Sequence, residues 1–310
     1  MTPRQLLALS AVAAIWGGSF LFVRVLINAG VEPLGVSAGR VSFGLVGLIP
    51  FAIIARRRFP RSWRTLAGIA ALGVTNFALP WSFNAFGQRD IPSGVASIAN
   101  ASMPLWTAIF STALIKGDHL GRGRIAGLFL GFSGVVVLAL NDTGGLGSHS
   151  TRGLAFVVTA TMCYGISAVS IRRWLRHVPA IPLTVGQIAV AAVILMPIAL
   201  ASGAYDHANL GANEWASFLA LGLAGSGFTV VIYMWLINQV GPVRASVVTY
   251  LLPPIGVFLG WLVLDESVGW DLFAGLGLIV GGVALVQGAP LAKAVARWGR
   301  SPTPQPSAAD

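Results

Sequence analysis

The sequence is poor in charged residues and in groups that carry out chemistry. Charged side chains make up 10% of the 310 residues and hydrophobic ones 55%, whereas a soluble domain has about one quarter charged residues. This balance excludes a soluble globular protein and indicates a membrane protein. The single cysteine, Cys163, leaves no role for disulfides.

Catalytic and metal-binding patterns are equally scarce. All four histidines fall in loops on the two faces of the predicted membrane segments, so a histidine cluster with metal-ligand spacing is not expected within the membrane. Nucleophile elbow, Walker A and zincin patterns are missing. Residues 121–126 fit a dinucleotide-binding pattern but lie between apolar segments and not in a βαβ unit. We therefore predict no enzyme, no cofactor and no metal site.

Continuous apolar runs define the predicted fold. Strands of a membrane β-barrel would give alternating segments of about ten residues, whereas these runs are long enough to cross a hydrocarbon core of about 30 Å as helices. We predict an all-α polytopic membrane protein with ten spans, numbered in chain order. Their predicted bounds are 6–27, 34–55, 65–86, 91–115, 124–141, 153–172, 180–201, 215–237, 242–264 and 270–288.

The distribution of charge predicts the orientation. If Arg4 is cytoplasmic, 16 of the 20 Lys and Arg residues lie on the inner side, and eight of the ten acidic residues lie on the outer side. This positive-inside pattern places both termini in the cytoplasm and explains the net charge of +10 without a nucleic-acid partner. The first apolar run continues to Val23, so we expect a retained span and not a cleaved signal peptide.

The two halves of the sequence repeat each other at an offset of about 150 residues. Pro92 and Pro104 recur as Pro242 and Pro254, with the same spacing of twelve. Because five spans separate the copies, equivalent spans cross the membrane in opposite senses. Inverted repeats of this kind build secondary transporters around a site near the bilayer midplane. The predicted organisation is a first five-helix repeat at 6–141, an inverted second repeat at 153–288, and a disordered basic tail at 289–310.

Amide, hydroxyl and aromatic side chains collect near the middle of the spans. A polar side chain costs free energy in hydrocarbon, so we expect these groups to face a cavity or a partner. Interhelical hydrogen bonds for the asparagines, and core packing for the aromatics, are the alternatives. The predicted substrate-binding residues are Trp16, Arg40, Asn76, Trp81, Asn84, Asn100, Tyr164, Gln187, Tyr233 and Tyr250.

Prolines inside spans 4 and 9 are a second indication of a site. A proline frees the carbonyl one turn earlier, so Pro104, Pro253 and Pro254 are predicted to break helices beside a cavity. Broken helices at matching positions of two repeats indicate a transport site. A kink used only for packing is the alternative.

Several side chains have structural interpretations. Arg40 lies ~9 Å inside the outer end of span 2, at 1.5 Å per residue, and we favour a pairing with Asp90 or a helix end over contact with a substrate carboxylate. Arg24 is expected to reach the headgroups, and Ser19 and Ser167 to bond their own helix backbone. The glycine faces of spans 5 and 10 are predicted to pack within one protomer, with a homodimer as the alternative.

The chain resembles the EamA type of the drug/metabolite transporter superfamily over residues 6 to 288. The motifs that carry the resemblance are residues 16–20 with Arg24, Arg40 in span 2, Pro104 followed by residues 117–118, and Pro254 followed by residues 265–266. It departs from the family pattern at Asp118, where glutamate is commoner, and at Tyr164, where the first repeat has Trp16. The resemblance implies a multi-pass carrier of the bacterial inner membrane, often an exporter of amino acids or other small metabolites.

We therefore predict a secondary transporter that moves a small metabolite by alternating access, with the substrate and the lipid bilayer as its partners. A passive solute channel is the alternative, although no charged ring or carbonyl filter pattern supports it. A membrane-embedded enzyme is the third interpretation.

Overall fold

A computed structural model describes residues 1–55, 59–140, 147–240, 245 and 247–287. These residues fold into helices joined by short loops, and no strand occurs among them. The predicted tail at 289–310 and the arginines at 56–58 lie outside the described residues. The all-α prediction is confirmed.

The first half contains five helical spans. Span 3 is a continuous helical stretch from Trp63 to Asp90 with a π-helical turn inside it. Span 4 consists of two short helices. The bounds are Pro3–Asn28 for span 1, Pro33–Ala55 for span 2, Trp63–Asp90 for span 3, Ser93–Asn100 with Met103–Leu114 for span 4, and Arg122–Leu140 for span 5.

The second half repeats this series. Its bounds are Gly147–Ser170 continued by a π-helical turn at Ile171–Leu175 for span 6, Ala180–Ala201 for span 7, Ala212–Leu219 with π-helical Ala220–Phe228 and Thr229–Val240 for span 8, Val248–Leu264 for span 9, and Trp270–Gln287 for span 10. Eight segments of the described chain are long and apolar enough to cross a bilayer, and span 9 is a shorter apolar helix. With the two-part span 4, they form the ten predicted spans.

Local sequence signals begin and end the helices. Thr2 and Gln5 form a capping box that opens span 1. Spans 1 and 7 end alike, because Gly30 and Gly203 adopt left-handed conformations with φ of 87° and 65°. Such a glycine allows the last carbonyls of a helix to be capped by following amides. This shared ending does not come from the repeat, because span 7 is the copy of span 2 and span 6 is the copy of span 1.

Packing between the two halves is pairwise symmetric. Span 1 contacts spans 8 and 9, and span 6, its copy, contacts spans 3 and 4. Span 2 contacts span 8 as its copy, span 7, contacts span 3. Spans 2 and 7, 4 and 9, and 5 and 10 pack directly against their own copies. This pattern requires a pseudo-two-fold axis between the halves, and it confirms two inverted five-helix repeats.

Glycines allow the closest of these contacts. Spans 5 and 10 meet through Gly127, Gly131 and Gly134 on one side and Gly275 and Gly282 on the other. A Cβ atom added to Gly282 would lie 2.3 Å from the backbone nitrogen of Gly131, so no larger side chain fits there. The predicted packing of these faces within one protomer is thus observed.

The prolines act differently in spans 4 and 9. Span 4 divides at residues 101–102, and Pro104 lies in the first turn of its second helix. The described helix of span 9 continues from Val248 to Leu264 through Pro253 and Pro254, so the expected break there is absent. A membrane helix tolerates proline where its surroundings satisfy the freed backbone groups. Span 9 is also bonded to span 4 here, because the Ser97 hydroxyl donates to the Pro253 carbonyl over 3.4 Å.

Candidate functional site

Two π-helical stretches lie at matching positions in the repeats. One is Val74–Ala78 in span 3, and the other is Ala220–Phe228 in span 8. Such turns widen a helix, alter its carbonyl pairing and are frequent at functional sites. Both stretches lie where the two halves of the protein pack together, so they can offer polar groups at the interface between the repeats.

Each π-helical stretch is bonded to a span of the other repeat by a pair of polar side chains. Arg40 in span 2 donates from Nε to Ser226 Oγ in span 8 over 3.3 Å. Asn76 in span 3 donates from Nδ2 to Gln187 Oε1 in span 7 over 2.9 Å. Gln187 follows Arg40 by 147 residues and Ser226 follows Asn76 by 150, so the two pairs are copies of one contact.

Arg40 is held by an aromatic ring and a hydroxyl, not by an acid. Its guanidinium carbon lies 4.0 Å from the centroid of the Trp81 ring, a distance typical of a cation–π contact. Asp90 forms a bidentate ion pair with Arg152 at 2.8 and 2.9 Å. The expected pairing of Arg40 with Asp90 is therefore wrong, because Arg152 at the start of span 6 takes that carboxylate.

Tyr164 and Asn84 complete the surroundings of Arg40. The Tyr164 side chain lies beside Trp81 and Asn84 and interacts electrostatically with the guanidinium. Asn84 uses its Nδ2 to bond the Pro80 carbonyl at 2.9 Å, while its buried Oδ1 atom has no described hydrogen-bond partner. Arg40 and Tyr164 are deeply enclosed and keep only part of their surface accessible.

Trp16 in span 1 contacts Tyr233 and Gly225 in span 8. Trp16 donates from Nε1 to the Gly225 carbonyl at 2.9 Å, and its ring lies 5.0 Å from that of Tyr233. Gly225 precedes Ser226, the acceptor for Arg40. Eight of the ten predicted site residues, all except Asn100 and Tyr250, thus lie in or against the two π-helical regions. We call this set, with Ser226, the central polar layer.

Asn100 and Tyr250 make no described hydrogen bond to the central polar layer. Asn100 ends the first helix of span 4 and is half-buried. Tyr250 packs against the apolar cluster around Val95, and its buried hydroxyl has no hydrogen-bond partner among the described residues. Pro254 lines a separate apolar groove of about 390 Å³, together with Phe258 and Trp261.

A larger cavity of about 600 Å³ lies between the predicted inner ends of spans 3 and 6. We call it the inner vestibule. It is lined by polar and apolar side chains, among them Arg64, Thr75, Ser170 and His177. Thr75 precedes Asn76 of the central polar layer, so the vestibule reaches from the predicted cytoplasmic side to the edge of that layer.

A pair of hydroxyl groups joins spans 3 and 6 at the wall of the vestibule. Ser167 donates to Thr75 Oγ1 at 2.9 Å, so the expectation that it bonds its own helix is wrong: span 3 approaches closely enough to offer a better-placed partner. Ser19 does bond its own helix, through the Ile15 carbonyl at 3.1 Å.

Ionic and polar contacts join the predicted outer ends of the spans. Arg89 pairs with Glu32 at 2.9 Å, in addition to the ion pair between Asp90 and Arg152. Arg24 bonds the Gln88 carbonyl. It was expected to reach the headgroups, but span 3 packs within its reach and offers this acceptor. Spans 1, 2, 3 and 6 are thereby held together at this end.

Glu266 makes a further contact at the predicted outer ends of spans 4 and 9. Its carboxylate accepts from the Ser93 and Gly94 amides at 2.7 and 3.0 Å and from the Ser93 hydroxyl at 3.0 Å. Negative charge is favoured at a helix N-terminus, and Glu266 thus caps the first helix of span 4. Its copy, Asp118, instead bonds Ser111 and pairs with Arg124 at 2.7 Å. The Ser111 hydroxyl and the Arg124 guanidinium lower the pKa of Asp118.

Some of these residues were missed by reasoning from the sequence. Ser226 and Thr75 were not selected as site residues, although the repeat offset from Asn76 marks Ser226. The cap by Glu266 has no local signal, because 173 residues separate it from Ser93. In the part of the chain that the structure describes, no group of three His, Cys, Asp or Glu side chains could hold a metal ion.

The comparison with known families decides the classification. The model of the EamA-like transporter family matches the chain twice, at residues 4–140 and 151–287. The chain belongs to the EamA-like transporter family. It is thus a multi-pass membrane protein of a transporter family, as the sequence motifs indicated. The two matches fall on the two halves that the pseudo-two-fold axis relates.

Relatives of this EamA-like transporter cover most of its length. The uncharacterized transporter YoaV of Bacillus subtilis is 24% identical over 286 residues, which is 90% of this chain and 95% of the relative. The uncharacterized inner membrane transporter YedA of Escherichia coli is 27% identical over 300 residues, 92% of each chain. A solved crystal structure with 20% identity superposes with a TM-score of 0.61 over 97% of this chain and 100% of its own, which shows the same fold.

Proposed function

We propose that this protein is a secondary transporter that exports a small organic metabolite, such as an amino acid or a similar solute, across the bacterial inner membrane by alternating access. The observation that carries the proposal is the central polar layer. It brings a charged arginine, amides and aromatics from both repeats to the pseudo-two-fold axis, and polar groups at that depth are expensive unless they serve a cavity or a partner.

The two ends of the spans support an inward-facing state. The outer ends are tied by Arg89 with Glu32, Arg152 with Asp90, and Glu266 with the start of span 4. The inner vestibule opens between spans 3 and 6. The positive-inside rule orients this vestibule, and both chain termini, toward the cytoplasm. A solute would therefore enter the central polar layer from the cytoplasm.

Alternation follows from the symmetry of the fold. Because the repeats are inverted copies, each can adopt the conformation of the other at little cost, and that exchange opens the outer end while it closes the inner one. The solute then leaves on the outer side. No covalent step is needed, and the protein acts without catalysis.

Transport is tested in two steps. A comparison of metabolites exported by cells with and without the protein selects solutes, and counterflow in reconstituted vesicles then measures their movement. A carrier gives a saturable rate that unlabelled solute on the opposite side stimulates. A rate proportional to concentration, without such stimulation, would instead indicate a passive channel and contradict alternating access.

Variants connect transport to the central polar layer. Arg40→Gln and Tyr164→Phe should lower the counterflow rate at normal protein amounts, because they remove polar groups of the central polar layer that keep accessible surface. Arg4→Gln, an exposed change in span 1, serves as the control. Unchanged rates in both layer variants would remove this layer from the transport path.

Orientation is tested in a Cys163→Ser background. A cysteine at His119 should react with an impermeant maleimide only from the cytoplasmic side, and one at Asp206 only from the outside. The reverse pattern would overturn the proposed cytoplasmic termini.

A further inference from the structure

Arg40 has more hydrogen-bond donors than described acceptors. A guanidinium carries five N–H groups, and the structure gives Arg40 one acceptor, the Ser226 hydroxyl at 3.3 Å from Nε. That hydroxyl donates its own proton to the Leu221 carbonyl at 3.0 Å, which fixes it as an acceptor. The Trp81 ring covers a face of the guanidinium and offers no acceptor to the Nη groups at its edge.

No described carboxylate compensates the charge of Arg40. Glu32, Asp90 and Asp118 each pair with another arginine, and Glu266 caps span 4. Glu214 bonds the Gly211 amide, and Asp206 and Asp265 are exposed. Asp271 is buried at the start of span 10, and it is not among the groups that act electrostatically on Arg40. A buried cation without a counter-charge is strongly unfavourable. The site therefore lacks one negative charge that a ligand can supply.

The symmetry of the fold separates this charge from a structural role. Gln187 occupies the copy of the Arg40 position and ties span 7 to span 3 with a neutral amide. The same tie between spans 2 and 8 therefore needs no cation. The charge at Arg40 must serve something that is not repeated in the other half.

The surroundings of Arg40 define what else the ligand carries. Asn84 Oδ1 is a buried acceptor without a described partner, and Tyr164 lies beside it. These groups can accept from a hydroxyl or an amide N–H. An ammonium group would add a second positive charge where the described residues provide no acid. A dianionic phosphate would in turn exceed the single positive charge of the site.

We infer that Arg40 and its neighbours bind a small organic monoanion, whose carboxylate meets the Nη groups of Arg40 and whose hydroxyl or amide N–H meets Asn84. This inference rests on the proposed transport function and narrows its solute from organic metabolites in general to hydroxy acids or N-acylated amino acids. The bidentate geometry of guanidinium and carboxylate provides the selectivity.

Two series of matched solutes test the inference on the purified protein in detergent. The first series is lactate, alanine and lactamide, and the second is 3-phenyllactate, phenylalanine and 3-phenyllactamide. Within a series, shape is nearly constant while the form at neutral pH is an anion, a zwitterion or a neutral amide. The concentration that half-saturates thermal stabilisation is measured, since a ligand that binds the folded state raises the unfolding temperature.

The expected result is that an acid half-saturates at a concentration roughly tenfold or more below its amide and its zwitterion, which is the usual effect of a hydrogen bond to a charged group. Arg40→Gln should remove this preference, Arg40→Lys should keep part of it, and Arg4→Gln should leave it intact. If no acid in either series stabilises the wild type better than its amide, the inference is wrong, even without any variant.

Counterflow of the same solutes separates the two proposals. Preferential acid binding without counterflow would contradict the transport function and leave the anion site in place. Counterflow of a neutral or zwitterionic solute at the rate of its acid would support transport and overturn the anion site.

Discussion

The Asn76 amide donates a hydrogen bond to the Gln187 amide oxygen over 2.9 Å, and the symmetry copy of this contact is the hydrogen bond from Arg40 to Ser226. The fold thus uses one contact twice, between a span and the π-helical stretch of the opposite repeat. One copy is neutral and the other is charged. Because the neutral pair joins a span to the π-helical stretch of the other repeat, that structural contact does not require the positive charge of Arg40.

The Asn76–Gln187 pair should couple energetically. In a double-mutant cycle with Asn76→Ala and Gln187→Ala, the interaction free energy is expected to be about 0.5–1.5 kcal/mol, which is the range for side-chain hydrogen bonds between membrane helices. Unfolding in detergent measures the four free energies. Additive effects of the two changes would show that the pair does not hold spans 3 and 7 together.

Glu266 should stabilise the protein by capping span 4. Glu266→Gln keeps the size of the side chain but removes the charge that faces two amides and a hydroxyl, so we expect a loss of about 1–2 kcal/mol in the free energy of unfolding. Asp265→Asn is the matched control, because Asp265 is exposed with φ of 54° and asparagine tolerates that conformation. Equal effects of the two changes would contradict the cap.

Two glycines of span 10 should respond oppositely to a methyl group. Gly282→Ala is expected to destabilise the protein by about 1–3 kcal/mol, because the new Cβ atom would meet the Gly131 backbone in span 5. Gly277→Ala meets nothing within 4 Å and should be neutral or slightly stabilising. Thermal unfolding of both variants in one detergent provides the comparison, and a harmless Gly282→Ala would refute close packing of spans 5 and 10.

The inner vestibule should admit a water-soluble reagent from the cytoplasm. In a Cys163→Ser background, a cysteine at Ser170 lines the cavity and should react with an impermeant maleimide in inside-out vesicles. A cysteine at Thr161, in the same span but fully buried against Ser102, should not react. Equal labelling of both positions, or labelling of Ser170→Cys only from the outside, would contradict an inward-facing state.

The contribution of Asp118 to stability should depend on pH. Its lowered pKa means that the folded protein favours the carboxylate, so the stabilisation is complete above the unfolded value of about 4 and is lost as the pH falls through the folded value. Asp118→Asn should therefore destabilise the protein by up to about 1 kcal/mol at neutral pH. The difference between the two proteins, followed by thermal unfolding, should shrink below pH 4, and a constant difference would exclude this ion pair as its cause.

The sequence by itself determined the class, the number of spans and the inverted repeat. Apolar runs of the length of a bilayer fold into helices because lipid offers no partners for backbone groups, and this constraint acts on each segment separately. The repeat offset then relates equivalent residues, as it relates Arg40 to Gln187. The position of polar and aromatic residues in the middle of the spans also identified most of the side chains that the structure places near the two π-helical stretches.

Only the tertiary structure decided which polar groups meet. Asp90 bonds Arg152 and not Arg40, Ser167 bonds Thr75 and not its own helix, and Glu266 caps a helix that begins 173 residues earlier. Each choice depends on how closely two distant spans approach and on how they are rotated. Hydropathy fixes neither quantity, because a membrane span presents apolar side chains on all its faces, and packing against neighbouring spans sets its rotation.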